Sequence, residues 1–161
     1  MKTAQKIIIA GIIGTSFMTL YSYYRSNKEK QQYREPVLLN KLINRSRTLP
    51  VKLEENSAVG WATHYSIGVM FVLAYYLLCR RALQHPTPSK ALLIGSGSGI
   101  VAIASWKIMF IMNPNPPDNH RYGYYRQLFV AHVVFAAFAL AGYRFTGFSL
   151  QNAGLISSRL Q

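Results

Sequence analysis

The residues best suited to chemistry are polar side chains embedded in otherwise apolar stretches: Thr15, Thr19, His64, Lys107 and His132. Lipid offers such groups no partners, so they tend to face the interior of a helix bundle. Two imidazoles at matching depth on parallel helices suit a metal, the two faces of a haem, or a proton relay. Asp118 and His120, in a proline-rich connection, are the candidate lid over that polar pocket. The competing reading has each histidine bonding a neighbouring helix and Lys107 reaching out to the lipid headgroups. It is the preferred one, because two histidines without nearby carboxylate or thiolate ligands make a weak site. No cofactor is therefore predicted, with metal or haem kept as the alternative.

The elements that must position these residues are four apolar blocks, Ile7 to Tyr24, Ala58 to Cys79, Ala91 to Met112 and Leu128 to Phe145. At roughly 18 to 22 residues, each is long enough to cross a hydrocarbon core as a helix. Lys107 is the one fixed charge well inside any block, whereas a soluble bundle would carry a charged face on every helix. The expected fold is all-α: a single four-span membrane domain over residues 1–161, an antiparallel up-down bundle. The first block follows a short basic stretch but lacks a small-x-small cleavage site, so it is read as a retained span.

In such a bundle Thr19, His64, Lys107 and His132 each fall about five residues from the same membrane face, roughly 6 to 9 Å deep. Small residues mark the packing faces: Gly11 and Gly14, Gly60 and Gly68, Gly95 and Gly99, and Ala136 with Ala139. His64 shares a helical stripe with Gly60 and Gly68, His132 with Ala136 and Ala139, and Thr19 with Gly11 and Thr15. These side chains are expected to point inward. Gly95-Ser-Gly-Ser-Gly99 lacks the Lys-Ser/Thr and preceding strand of a phosphate loop, so helix packing explains it better.

The connections hold most of the net charge of +13. Arg25 to Ser57 spans 33 residues with eight Lys or Arg and four Glu. Within it, Pro36 opens a stretch where Leu38, Leu39, Leu42 and Ile43 recur at helical spacing beside Lys41, Arg45 and Arg47. This predicts a short helix in the headgroup layer, closed near Pro50. Pro86 and Pro88 break the second connection. The third predicts an ordered, non-helical cap followed by Tyr122, Tyr124 and Tyr125 at the membrane interface. Basic loops beside spans point to anionic lipid headgroups and away from nucleic acid. Positive charge lies in connections on both sides, so orientation stays open. A lone cysteine, Cys79, excludes paired-cysteine redox and zinc motifs and is expected to be a buried thiol at a helix end. No carboxylate lies in any block, which removes the groups on which most proton-coupled transporters and membrane hydrolases depend.

Ala10-Gly-Ile-Ile-Gly-Thr-Ser-Phe-Met-Thr-Leu20 resembles the Gly-x-x-x-Thr-x-x-Met-Thr opening of small uncharacterised bacterial inner-membrane proteins, the YagU-like and related domains of unknown function. Gly60-Trp-Ala-Thr-His64-Tyr-Ser-Ile-Gly68 is similar to their second-span Gly-x-x-x-His-x-x-x-Gly pattern, and Ala131-His132 extends the likeness to the last span. The resemblance implies the same helical core and a bacterial inner-membrane location, and it marks Thr15, His64 and Gly68. It names no reaction. The resulting expectation is a non-enzymatic binding or accessory component, working as a homodimer or within a larger membrane complex.

Overall fold

The structure, a computed structural model, describes residues 2–46 and 52–157. The described residues form five helices and no strand: α1 Thr3–Glu29, α2 Glu35–Asn44, α3 Ala58–Gln84, α4 Pro88–Met112 and α5 Arg121–Ser157. All but α2 contain a stretch long and apolar enough to cross a membrane, in α5 over Arg121–Thr146. The helices outrun the apolar blocks at several ends because nothing in the flanking polar residues breaks them. The breaks come where the sequence places helix stops or starts. Ser57 and Thr87 accept hydrogen bonds from the backbones of Val59 and Lys90, capping α3 and α4. Pro88 fits the first turn of α4, where its missing N–H removes no intrahelical bond.

Helix α5 packs on α1, α4 and α3, while α1 also packs on α3. Along α1 and α5, Lys6 lies over Tyr143, Gly14 faces Phe135 and Ala139, and Ser22 meets Gln127. Gly11 faces Val69 and Thr19 meets His64 between α1 and α3; Gly95 faces Val133 and Gly99 faces Phe129 between α4 and α5. In each pair residue numbers rise along one helix as they fall along its neighbour. Gly11, Gly14, Gly68, Gly95 and Gly99 lie at contacts between long helices, whereas Gly60 meets α2. A Cβ on Gly11 would sit 2.7 Å from the Val69 Cα, and one on Gly95 would sit 2.6 Å from the Val133 Cα. Only glycine permits these approaches.

The outer surface is apolar. Leu78 and Ile111 are each 83% exposed, and Leu77, Leu93, Met70 and Leu20 are also exposed. In water so much exposed hydrocarbon would drive association, whereas in a bilayer it meets chemically similar chains.

Two local expectations need correction, at Tyr124 and Cys79. Helix α2 has seven of its ten residues buried, because it lies across one end of the long helices. Arg47 and Pro50, expected at its close, fall outside the described residues. Tyr124 does not join an interfacial belt but is fully buried against Trp106 and Phe110, whereas Tyr122 is exposed. Cys79 is exposed, in a run of exposed residues 77–81 where α3 departs from helical dihedrals.

Candidate functional site

Helix α2 forms a roof, and its seat is built from polar contacts that side chains make over long sequence distances. Near its start, the Glu35 Oε1 accepts from the Ser22 hydroxyl at 2.8 Å and from the Gln127 amide at 3.1 Å. In its middle, the Asn40 amide donates to the carbonyls of Glu55 and Ser57, both at 3.0 Å. Beyond its end, the Asn113 amide donates to the Leu42 carbonyl at 3.0 Å, and Arg45 donates to the Pro116 carbonyl at 3.1 Å. Gly60 lets α3 pass close to the Pro36 carbonyl. The roof is thereby tied to α1, α5, the start of α3 and the segment after α4.

Beneath it lies a cavity of about 260 Å³. Glu35 and Leu39 of the roof line it, with Thr15, His64, His132 and Ser105 as its other polar groups. Apolar side chains, among them Phe71, Trp106 and Phe135, make up most of the remaining wall. Such a space exceeds the roughly 150 Å³ that admits benzene in an apolar engineered cavity.

The hydrogen bonds of the two histidines fix which nitrogens are free. The Thr19 hydroxyl donates its proton to the Thr15 carbonyl at 2.7 Å, so its oxygen receives the His64 Nε2–H at 3.0 Å. A carbonyl can only accept, so the His132 Nδ1–H donates to Leu128 at 3.0 Å. In the neutral rings, His64 Nδ1 and His132 Nε2 remain as lone-pair acceptors. Neither has a partner among the described residues. Phe71 packs edge-on against the His132 ring. The Glu35 Oε2 and the Thr15 hydroxyl are also buried without partners.

Of the expected pocket residues, Thr15, His64 and His132 come together on this cavity, and Thr19 supports His64 from behind. Lys107 does not belong. It follows buried Trp106, so the helical turn carries it outward, where it lies over the Tyr125 ring. Asp118 and His120 form no lid. Both are exposed, and the His120 Nδ1 accepts from the Gly123 N–H at the start of α5. The lid is α2.

Sequence reasoning missed Glu35, Ser22 and Gln127. Glu35 looks like an ordinary acidic residue in the first turn of a surface helix, yet it is 1% exposed. Its position directly before an apolar run, Pro36-Val-Leu-Leu39, was the available signal. Burial pushes the Glu35 carboxyl up to about 7, against the opposing pull of its hydrogen bonds. No Lys or Arg pairs with it among the described residues.

Four apolar helices of spanning length, with an apolar exterior around a largely apolar cavity that holds a few polar groups, define the class as a multi-pass helical membrane protein. No family model, curated protein or solved structure matches the chain.

Proposed function

We propose that this chain is a non-enzymatic binding component of a membrane, an antiparallel up-down four-span bundle that holds a small, largely apolar molecule beneath α2. One observation carries the reading: an apolar-walled cavity contains two histidines, each with a ring nitrogen free of protein partners. Binding sites commonly combine such walls with a few placed polar groups. The opposed numbering along the helix contacts supports the up-down arrangement. In it, α2 lies at headgroup depth and both chain ends share one side of the membrane. The bacterial inner-membrane setting and the likeness to YagU-like proteins belong to the same proposal, as does association with anionic headgroups or a second copy. A metal or haem between His64 and His132 is the second reading, favoured by the same two nitrogens.

The binding reading predicts saturable quenching of Trp106 by 1-bromohexane in a Trp61→Phe variant reconstituted in lipid nanodiscs. Filling the wall with Ala102→Met should weaken that component several-fold. Quenching that rises only linearly with bromohexane, as for a tryptophan simply facing lipid, would remove the cavity from the functional account.

The arrangement is checked separately by reporter fusions at the two ends. Both reporters should give the same side, and opposite sides would refute the four-span topology.

A further inference from the structure

The cavity has an opening where a bilayer would meet it. Helices α3 and α4 are joined through the Tyr75 hydroxyl, which donates to Ser98 at 2.8 Å. Towards α2, Ile67 of α3 and Ser105 of α4 both line the cavity, and both are also exposed on the outer surface. The space therefore communicates with the outside between α3 and α4. Ser105 lies seven residues before the end of α4 at Met112, a depth of roughly 10 Å along the helix. In the four-span arrangement proposed above, that depth falls within the hydrocarbon core. The opposite route, through the roof, is closed by buried Val37, Leu38 and Leu39 and by the hydrogen bonds that seat α2.

The polar end of the cavity is equally selective. His64 Nδ1 and His132 Nε2 offer lone pairs and no proton, and Glu35 offers a carboxyl group. A ligand that bears a donor satisfies them. A ligand bearing a carboxylate or phosphate brings negative charge to acceptors, with no cation in the wall to meet it. The exposed surface around the opening includes Met70 and Ile108, while Lys107, the nearest cation along α4, lies over the Tyr125 ring on the α5 side.

We infer that the ligand is a neutral lipophile bearing a hydroxyl group, of the phenol or alcohol class, which enters sideways from the bilayer between α3 and α4 and donates its O–H to the histidine lone pairs. This rests on the binding reading above and adds to it a route and a chemical class. Ser105 and Ile67 form the threshold. His64 and His132 recognise the hydroxyl, and the Thr19 hydroxyl holds the His64 ring in the tautomer that accepts.

The test is competition against 1-bromohexane in nanodiscs, with affinities expressed per ligand in the bilayer, using 4-hexylphenol, hexylbenzene and 4-hexylbenzoate. The phenol should displace the quencher at a concentration roughly tenfold lower than hexylbenzene, the worth of one good hydrogen bond. The benzoate should be the weakest of the three. His132→Phe should erase the preference for phenol while leaving hexylbenzene affinity within about threefold. If that variant does not fold, the comparison on the unaltered histidines still decides the class. Equal affinity for phenol and hexylbenzene overturns the hydroxyl assignment and leaves the cavity reading standing; failure of bromohexane itself to saturate overturns both. Ser105→Phe should slow association at least tenfold, and an unchanged rate would overturn the lateral route.

Discussion

Raising the pH from 5 to 8 is expected to loosen the roof of the bundle, and Glu35→Gln is expected to remove that response. Glu35 meets only neutral hydrogen-bonding partners, Ser22 and Gln127, and its burial pushes the carboxyl from the usual 4.5 up to about 7. A carboxyl raised in this way favours folding while protonated. Its contribution is fully present below the unfolded value and is lost as pH climbs through the folded one. A rise of that size corresponds to on the order of 3 kcal/mol. Hydrogen exchange of the α2 amides should therefore accelerate between pH 5 and 8 beyond the intrinsic base-catalysed increase, and thermal stability should fall in the same window. Glu35→Gln keeps an acceptor for Ser22 and carries no charge, so its α2 should stay protected throughout. A variant that still loosens with the same midpoint would assign the titration to another group.

The second large effect should come from Gly68→Ala. A Cβ at Gly68 would run into the Thr15 hydroxyl, with the Thr15 Cβ at 3.2 Å and the Phe135 ring at 3.4 Å close behind. Neither α1 nor α3 can move away freely, since Gly11 already holds the two backbones together at Val69. Overpacking of this kind costs about 1 to 3 kcal/mol. Met70→Leu is the control, because Met70 is 66% exposed on the same helix and should change stability little. Thr15→Ala in the same chain as Gly68→Ala should recover part of the loss, because it removes the nearest atom. Detergent unfolding curves of the three variants and the unaltered chain provide the measurement. Equal stability of Gly68→Ala and Met70→Leu would show that α1 and α3 do not meet as described.

The candidate site was legible in the sequence to an uneven degree. Thr15, Thr19, His64 and His132 were found because a polar side chain in an apolar helix must face the bundle, and glycine and alanine stripes revealed which face that is. The same rule failed for Lys107. Its length and the turn after Trp106 allow an outward path over Tyr125, and depth alone says nothing about direction around the helix. Asp118 and His120 were placed over the pocket by their position in a connection. The route of a connection depends on contacts that spacing does not encode, and His120 turns instead to the first turn of α5.

What the sequence by itself determined is the number of long helices, the apolar stretch each contains and many of the residues at which they touch. Lipid requires each crossing segment to satisfy its backbone internally, which makes an unbroken apolar run of sufficient length a helix regardless of its neighbours. Close approach likewise requires small side chains, so Gly11, Gly14, Gly60, Gly68, Gly95 and Gly99 announced the contacts in advance. The tertiary structure alone decided that α2 is a roof, that Glu35 lies inside, and that Ser22, Glu35 and Gln127 share one network. Those outcomes depend on partners up to 105 residues apart in the chain. A ten-residue helix carries too little periodicity to say whether its apolar side meets lipid or protein. That choice follows from the space left at the end of the bundle, which exists only once α1, α3, α4 and α5 have packed.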